Sequence, residues 1–598
     1  MLKEAGDAIV PSLTKLINLS LSSGKVPSSW KKANVIPIHK KDDKSKTNNY
    51  RPISLLSVVS KILERVVFKH VYNFLHNNQL LTKFQSGFIP NDSTVHQLSF
   101  LYHSFCEALN QKKDVRIVFC DISKAFDRVW HEGLLYKLKR IGIRGTLLNW
   151  FRDYLNNRLQ KVIIRGQNSK WGEIKAGVPQ GSVLGPLLFL VYINDLVDGI
   201  QSNIRLFADD TTIYITVNHD TNPELADGFA SDAANQLNND LNSIKDWADQ
   251  WLVSFNPHKT KTMTISNRKY QHPPVFFDNI ELTSVDQHKH LGVTFASNLS
   301  WSPHVTGLIQ SASKLCQVLR CFKHQIDRKS LETIYFTFIR PKLEYACQVW
   351  DDCNQGDKEA LERVQINAAR IVTGAKKGTS HFRLEQELNW QSLSERRNLV
   401  KLHHMQKIVH RTAPSYLSDL LPDKVTPRFD WRNGVQNCYR QFKIRLTKFK
   451  NSFFPDLIYK WNSMDDEVKL IEDITEFKDK VVNKVNSNPL FYFGSRHCNI
   501  IHSQLRMHCS NLKAHLVELH VIEDPICICG LGNEDTEHFF FHCPLYHQCR
   551  LKLMQYVNIH STFKLNTLLY GDDNLDIETN CKIFQAVHDF IKESKRFS

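Results

Sequence analysis

Three acidic residues have the types and placement that a metal-dependent transfer reaction requires. Asp121 ends a short apolar run, and Asp209 and Asp210 form a pair much later in the chain. Nucleotidyl transfer uses two divalent cations roughly 3.5–4 Å apart, which activate a hydroxyl and hold the leaving group. Magnesium prefers carboxylate oxygens and keeps part of its shell for water and phosphate. Two or three carboxylates on rigid strands are therefore sufficient for this chemistry.

The elements that carry these acids are predicted to meet in one sheet. The apolar run of residues 116–122 predicts a buried strand, and residues 203–215 predict a hairpin with Asp209 and Asp210 at its turn. Strands that follow each other in sequence often neighbour each other in a sheet. An isolated Asp-Asp pair is common in turns because Asp bonds locally to the backbone, so the pair alone does not establish catalysis.

The surrounding sequence predicts a mixture of helices and strands. A strand over 160–165 and a tight loop over 177–181 precede an apolar helix that Ser182 can cap, with Pro186 in its first turn. Most of 303–484 has helical spacing. The predicted helices before it cover residues 58–75, 93–110 (capped by Asp92 or Ser93), 134–142, 147–155 and 227–251.

Two stretches are rich in basic residues. Residues 31–51 contain seven Lys or Arg and only two Asp, which suits contact with phosphate, although a flexible charged loop has the same composition. Residues 439–454 interleave five Lys or Arg with five aromatic side chains. Such a stretch can stack on bases and contact phosphates, and a helix with a buried aromatic face accounts for it equally well.

A second group of potential ligands lies near the C terminus. Zinc takes four nitrogen or sulfur ligands in tetrahedral geometry, and tight turns at Gly530 and Pro544 would suit such a site. The alternative is buried free cysteines beside an exposed histidine. His542, His547 and Cys549 are near enough in sequence to substitute for a ligand. The candidate ligands are Cys527, Cys529, His538 and Cys543.

Composition and charge bound the class of protein. The chain has 598 residues, with 77 Lys and Arg against 61 Asp and Glu, a formal net charge of +16. This balance favours an anionic partner such as nucleic acid, or else a solvated basic surface. No signal peptide opens the sequence, and the longest apolar run, 183–193, is about half of what a membrane span needs. The 14 cysteines lack the density of a disulfide scaffold, so we expect an intracellular, reduced, soluble protein.

Three long motifs occur in a fixed order around the acids: FCDISKAFD at 119–127, GVPQGSVLGP at 177–186 and LFADDT at 206–211. With them, the sequence resembles the reverse transcriptases of non-LTR retrotransposons, in particular jockey-like elements, from about residue 1 to residue 550. Further matching segments are NYRPIS at 49–54, QSGF at 85–88, residues 251–260, HLGV at 290–293, RPKLEYA at 340–346 and LERVQ at 361–365.

The resemblance implies a right-hand polymerase fold of the α+β class. Its fingers and palm, with an antiparallel sheet, would occupy 31–300 after an N-terminal helical segment (1–30). A helical thumb-like region (301–400), a helical basic and aromatic extension (401–500), a zinc-binding module (501–560) and a C-terminal helical tail (561–598) would follow. The Cys-x-Cys, His and Cys pattern also ends many proteins of such elements, which favours one zinc ion there.

The resemblance also implies roles for the metal and phosphate contacts. Asp121 and Asp209 would bind both magnesium ions, Asp210 would support them, and the backbone carbonyl of Ile122 would be a further ligand. Arg51 and Lys40 would contact the triphosphate, since a planar guanidinium matches phosphate oxygens. Lys259 would protonate the leaving pyrophosphate, or else be a surface lysine without a role.

Three further residues would select and enclose the nucleotide. Phe126 would lie beneath the incoming sugar and exclude a 2′-hydroxyl, and ordinary core packing is the alternative for this ring. Gln180 and Gly181 would close over the nucleotide, because a residue without Cβ lets backbone approach a substrate closely.

The resemblance implies an RNA-directed DNA polymerase that uses an RNA template, a DNA primer or target, and dNTPs. It also implies a nuclear protein with a cytoplasmic ribonucleoprotein stage. The alternatives are an inactive remnant of a truncated element that only binds nucleic acid, and a viral-type RNA polymerase, against which Phe126 and Phe207–Asp210 argue. No endonuclease precedes residue 31 and no RNase H-like run follows, so we expect a 5′-truncated copy or a partial gene model.

Overall fold

The computed structural model describes residues 2–40, 43–218, 223–268, 272–425, 438–481 and 488–597. The chain divides into two compact units. The first contains residues 1–299 with 412–420 and 443–450, and the second contains 300–411, 421–442 and 451–598. Within the described residues, no helix is both long and apolar enough to cross a membrane.

The helices of the N-terminal half form where the sequence has apolar residues at helical spacing. The α4 helix shows a local determinant of its start, because the Ser93 hydroxyl accepts a hydrogen bond from the His96 N–H at 3.2 Å. The helices before residue 300 are α1 (Leu2–Ala5), α2 (Val10–Ser23), α3 (Val58–Asn77), α4 (Thr94–Asn110), α5 (His131–Arg140), α6 (Gly145–Leu155), α7 (Leu184–Ile193) and α8 (Pro223–Gln250).

Within the described residues, the strands form two five-stranded sheets and two two-stranded sheets, all in the first unit. Their bounds are β1 (Lys32–His39), β2 (Tyr50–Leu55), β3 (Lys113–Cys120), β4 (Arg158–Ile164), β5 (Gln167–Asn168), β6 (Gly172–Ile174), β7 (Asn203–Phe207), β8 (Asp210–Asn218), β9 (Lys261–Ile265), β10 (Phe276–Phe277), β11 (Ile280–Glu281), β12 (Thr283–Ser284), β13 (Gln287–His290) and β14 (Val293–Ala296).

The central sheet has the order β12-β9-β3-β8-β7. Strand β3 is paired on both edges, antiparallel to β8 and to β9. Val115, Ile117 and Val118 are completely buried, which explains why the second half of β3, residues 117–120, is a continuous apolar run rather than an alternating one. The strand ends at Cys120, before the predicted end at residue 122, because the chain then leaves β8 and Ile122 pairs with Phe255.

A second sheet contains part of the basic stretch of residues 31–51. Strands β1 and β2 form an antiparallel pair, and β1 also pairs in parallel with β4. The flexible-loop alternative for residues 31–51 is therefore wrong for the paired residues. Pro37 lies opposite Pro52 in this pair, and two residues without an N–H donor obscure a strand pattern in the sequence.

After residue 300 the regular secondary structure of the described residues is helical, in agreement with the helical spacing of most of 303–484. Two short π-helical turns occur at Tyr335–Ile339 and His538–His542. The α-helices are α9 (Ser302–Cys321), α10 (Arg328–Ile334), α11 (Arg340–Glu344), α12 (Cys347–Trp350), α13 (Gln355–Thr373), α14 (His381–Leu388), α15 (Leu393–Val409), α16 (Ser415–Ser418), α17 (Thr447–Asn451), α18 (Phe453–Asn462), α19 (Asp466–Lys469), α20 (Ile474–Val481), α21 (Arg496–Arg506), α22 (Lys513–Glu518), α23 (His547–His560), α24 (Leu565–Tyr570) and α25 (Ile577–Glu593).

The aromatic side chains of residues 439–454 are used for packing. Tyr439, Phe449, Phe453 and Phe454 are all buried. These four are therefore not available to stack on bases, whereas Phe442 is half-buried. The alternative of a buried aromatic face is confirmed for the four, but the helix that it assumed begins only at Thr447.

The C-terminal residues share one hydrophobic core. It includes Leu505 of α21, Phe539 and Phe540 of the π-helical turn, and Val587 and Phe590 of α25. Side chains on both sides of residue 560 thus pack together. The candidate zinc ligands Cys527 and Cys543 are members of the same core.

Candidate active site and candidate metal centre

The strand register brings the three acids together. Cys120 of β3 pairs with Thr211 of β8, so the next residues in that register are Asp121 and Asp210. Phe207 pairs with Asp210, which leaves Ala208 and Asp209 as a two-residue turn. Asp121, Asp209 and Asp210 all line one cavity of about 670 Å³. The predicted convergence is therefore present at one end of the central sheet.

The turn that carries Asp209 is held by the QSGF segment. Gln85 Oε1 accepts hydrogen bonds from the N–H groups of Ala208 at 2.9 Å and Gly87 at 2.7 Å. Ala208 has a φ of 55°, a conformation that costs a residue with a Cβ about 1 kcal/mol. A Cβ on Gly87 would lie 2.1 Å from Ala208 N. Only glycine permits this approach, so the segment fits the turn through backbone contact.

Asp121 is supported by the loop of residues 251–260. Its N–H donates to Thr260 Oγ1 at 3.3 Å, and its carbonyl accepts from Asn256 N at 2.8 Å. Ser123 N donates to the Ser254 carbonyl at 2.8 Å. These bonds hold Ile122 opposite Phe255 without using the Ile122 carbonyl. The carbonyl predicted as a metal ligand therefore lies outside this pairing, and Ile122 lines the cavity.

The electrostatics of the acids favour a bound cation. Burial, together with the negative charges of Asp209 and Asp121, raises the pKa of Asp210 to about 6, and Lys40 opposes this shift. Burial also raises the pKa of Asp209, with Asp121 adding to the shift and Lys40 and Arg51 opposing it. Crowded carboxylates, two of them half-buried, are a donor set that magnesium would stabilise. The residues present therefore fit a magnesium site.

The predicted phosphate contacts line the same cavity. Lys40 follows β1, where its N–H donates to the Asn49 carbonyl at 2.8 Å, and Arg51 belongs to β2. Both side chains are exposed to solvent, as is Lys259 from the loop that supports Asp121. The three cationic side chains that the sequence predicts as phosphate contacts thus lie around the same cavity as the carboxylates.

The predicted nucleotide-enclosing loop makes different contacts at its two named residues. Gln180 lines the cavity, and its Nε2 donates to Asp127 Oδ1 at 2.9 Å. Gly181 does not line it. A Cβ at Gly181 would lie 2.6 Å from the Ser54 carbonyl oxygen, and its φ is +117°. Its close approach is therefore to β2, not to the cavity.

Phe126 has features of both predicted roles, contact with the nucleotide sugar and packing on the core. The ring lines the cavity, and it also stacks on the buried Phe189 with centroids 4.6 Å apart and an interplanar angle of 22°. One side of the ring thus packs on the core while the residue still reaches the space beside the carboxylates.

Two supporting residues have no predicted role. Gln85 lies in the QSGF segment, so the sequence marked its position, but it did not predict the contact with Ala208. Glu64 is 1% exposed in α3 and accepts hydrogen bonds from Val183 N at 2.7 Å and Leu184 N at 3.2 Å. Burial raises the pKa of Glu64. This side chain caps the first turn of α7, and nothing in the local sequence distinguishes it from an ordinary helix glutamate.

The candidate zinc ligands also converge. Their ligand atoms all lie within 4.8 Å of one another. Cys527 Sγ is 3.8 Å from Cys543 Sγ, and Cys529 Sγ is 3.2 Å from His538 Nε2. His538 is buried, which overturns the alternative of an exposed histidine. Three thiols and an imidazole around one point are a soft donor set that fits zinc.

A tight turn presents the first two cysteines. Cys527 N donates to the Gly532 carbonyl at 2.8 Å, and Gly530 N donates to the Cys527 carbonyl at 2.9 Å. Gly530 has a φ of 77°, which a residue without a Cβ adopts freely. Residues 514–549 contain six Asp or Glu and no Lys or Arg.

Comparison with known proteins agrees with this geometry. Residues 38–295 match the family "Reverse transcriptase (RNA-dependent DNA polymerase)". The chain is 29% identical over 466 residues to the RNA-directed DNA polymerase from mobile element jockey of Drosophila melanogaster, covering 76% of this chain and 48% of that protein. It is 29% identical over 400 residues to a probable RNA-directed DNA polymerase from transposon BS of the same organism, covering 64% and 43%. The chain thus spans about half the length of these curated relatives.

Among solved structures, the apo telomerase from Candida tropicalis is similar with a TM-score of 0.36 and 11% identity. The match covers 69% of this chain and 68% of that one.

Proposed function

We propose that this chain, whose residues 38–295 match the reverse-transcriptase family, is the RNA-directed DNA polymerase of a jockey-like non-LTR retrotransposon. It extends a primer 3′-hydroxyl with dNTPs on an RNA template. The observation that carries the proposal is the convergence of Asp121, Asp209 and Asp210 in a cavity also lined by Arg51 and Phe126. Its partners are the RNA template and a DNA primer or target, and it acts in the nucleus after a cytoplasmic ribonucleoprotein stage.

The proposed roles follow from the chemistry of the lining residues. Asp121, Asp209 and the Ile122 carbonyl would hold magnesium, with Asp210 beside them. Bound magnesium would supply the positive charge that activates a primer hydroxyl and stabilises a leaving pyrophosphate. Arg51 and Lys40 attract and orient the triphosphate through charge-assisted hydrogen bonds. Lys259 stands on the loop that supports Asp121 and holds a proton for the pyrophosphate. Together these residues orient the reactants and place charge where the reaction needs it.

Sugar selection is assigned to Phe126. Its stacking on Phe189 prevents the ring from retreating into the core, so a 2′-hydroxyl in the adjoining space would meet a fixed surface. Gln180 closes the nucleotide side of the cavity while Asp127 holds its amide.

We assign the parts of a right-hand polymerase on the same basis. The central sheet with the carboxylates is the palm, and the sheet of β1, β2 and β4 belongs to the fingers. The helices that follow residue 300 supply the thumb-like region and the helical extension. The sheet content, the cavity and the family match to 38–295 support the first two assignments.

We propose that Cys527, Cys529, His538 and Cys543 bind one zinc ion with a structural role. The ligand atoms are clustered, and two of the cysteines belong to the hydrophobic core of the C-terminal residues. Four protein ligands leave no open position for chemistry. The acidity of residues 514–549 disfavours a phosphate contact there, which supports stabilisation of the fold over nucleic-acid binding.

A primer-extension assay on the purified chain tests the proposed polymerase. A DNA primer annealed to RNA is incubated with magnesium and either dNTPs or NTPs, and product length is measured. Extension with dNTPs that depends on magnesium and is lost in Asp209→Asn supports the proposal. The alternative, an inactive remnant, predicts binding of the primed template without extension. The inactive-remnant alternative is disfavoured because the three carboxylates and the residues that hold them in position are all present.

A further inference from the structure

Phe88 is an aromatic residue on the surface of the candidate active site. Its side chain lines the cavity that contains the three carboxylates, and 49% of the residue is exposed. A large apolar ring in this position does little for the hydrophobic core, because about half of it remains in water. Its placement therefore needs a reason other than burial.

The backbone at Phe88 is in a strained conformation. Its φ is 59°, in the left-handed region, where a bulky residue is uncommon. The preceding residues impose this turn, since Gly87 contacts Ala208 and Gln85 bonds to both of them. Strained backbone of this kind persists where the surroundings fix it, and it occurs preferentially at functional sites. The turn directs the Phe88 ring into the cavity.

The ring of Phe88 contacts the ring assigned to sugar selection. The centroids of Phe88 and Phe126 are 6.0 Å apart, with an interplanar angle of 85°, an edge-to-face pair. Phe126 also stacks on Phe189. Phe126 is thus held by two aromatic neighbours, of which Phe189 is buried in the core and Phe88 stands on the cavity side.

We propose that Phe88 is a second specificity-determining residue, which positions the Phe126 ring and thereby sets discrimination between dNTPs and NTPs. This inference rests on the proposed polymerase function. The same QSGF segment that holds the turn of Asp209 then also fixes the sugar-selecting ring. One short segment connects the metal-binding turn to the choice of sugar.

The chain offers variants that separate the ring from the backbone. Phe88→Ala removes the ring but keeps a Cβ in the strained conformation. Phe88→Gly removes the ring and relieves the strain, because glycine adopts positive φ readily. Phe88→Tyr keeps the edge-to-face contact, with its hydroxyl at an exposed end. If Phe88 acted only on folding, the glycine variant would keep the wild-type ratio of dNTP to NTP use.

The experiment measures kcat and KM separately for a dNTP and the matching NTP in primer extension, with Phe126→Val as the positive control. We expect Phe88→Ala and Phe88→Gly to lower the dNTP-to-NTP ratio of kcat/KM about threefold to tenfold, mainly by improving use of the NTP, and Phe88→Tyr to retain it. An unchanged ratio in both ring-deleted variants, with a lowered ratio in Phe126→Val, would overturn the role of Phe88 while leaving the polymerase intact. An unchanged ratio in all variants would remove the assignment of sugar selection to this pair. A wild-type chain that does not extend the primer would remove the proposed function, and this inference with it.

Discussion

The side-chain oxygen of Gln85 lies 2.9 Å from the backbone nitrogen of Ala208, the residue before Asp209. The same oxygen also accepts from Gly87 N, so one buried amide joins two backbone segments that are far apart in sequence. Ala208 needs this support because its φ is positive. Gln85 is therefore expected to fix the position of Asp209 without touching the substrate.

Replacing Gln85 by Ala should reduce kcat at least about tenfold, because a buried N–H left without an acceptor costs about 1–3 kcal/mol and loosens the turn. The magnesium concentration for half-maximal activity should rise, which a general loss of folded protein would not produce. Gln167→Ala, at an exposed position of β5, is the matched control. Wild-type kcat and magnesium dependence in the Gln85 variant would show that the Ala208–Asp209 turn keeps its conformation without this side chain.

Asp209→Asn should lower the primer-extension rate at least ~10³-fold, since loss of a shared metal ligand removes several kcal/mol of transition-state stabilisation. Asp232→Asn, an exposed position on α8, should leave the rate unchanged. Binding of primed template, measured in parallel, should be similar in both variants. A folded Asp209 variant with wild-type activity would be incompatible with the metal assignment.

Phe126→Val should admit ribonucleotides, because the shorter side chain vacates the space beside the 2′ position. The dNTP-to-NTP ratio of kcat/KM should fall by at least about tenfold, whereas thermal stability should fall only moderately, since the ring is partly exposed. A variant that is destabilised but keeps its selectivity would return Phe126 to the core-packing reading.

The sequence predicted the sheet that carries the acids because its signals are local. Residues 117–120 of β3 form an apolar run, and β7 and β8 are separated by a short turn, so these local patterns were sufficient to predict the strands. The contacts of Gln85 and Glu64 were not predictable, since each joins backbone from a distant segment. The β1–β2 pair was missed because Pro37 and Pro52 interrupt its pattern. Non-local contacts and proline-containing strands thus set the limit of the sequence-based prediction.

Acid should destabilise the C-terminal helices through two buried histidines. His502 Nε2 is 3.0 Å from the Leu568 carbonyl oxygen, and His502 Nδ1 is 3.3 Å from His588 Nε2. Burial, with Arg506 and Lys592 nearby, lowers the pKa of His588 to about 4. Burial, Arg506 and His588 also lower the pKa of His502 well below its usual value of 6.5. Both histidines are therefore neutral in the folded protein at neutral pH.

Because both pKa values are lower in the folded state, the unfolded state takes up protons first as the pH falls. The contribution of the two neutral histidines to the free energy of unfolding is complete above about pH 6.5 and is lost progressively toward pH 4. The protection factors of amides in α21 and α25, which correct for the slower intrinsic hydrogen exchange in acid, should fall over that range. His588→Gln, which keeps a donor but does not titrate, should flatten this pH dependence. Equal protection factors at pH 7 and pH 4.5 in the wild type would contradict this account.

The zinc prediction concerns the stability of the C-terminal residues. Purified protein should carry about one equivalent of zinc, and Cys529→Ser should lose most of it, because a thiolate ligand is removed from a closed four-ligand site. Cys549→Ser is the matched control, since its thiol is outside the four clustered ligands. The spacing of the four ligands in the sequence predicts that roughly residues 520–550 unfold in Cys529→Ser. The shared hydrophobic core instead predicts loosening across 501–597, because Cys527 and Cys543 pack with α21 and α25.

Hydrogen exchange distinguishes the two extents of unfolding, and metal analysis measures the zinc. The central sheet should keep its protection in Cys529→Ser, and extension of a pre-annealed primer should persist. Affinity for free RNA should also persist, because residues 514–549 contain six acidic residues and no Lys or Arg. Weaker RNA binding in this variant with an intact core would assign the cluster to nucleic-acid contact. Protein purified without chelator that contains no zinc would remove the site altogether and leave these residues to the hydrophobic core.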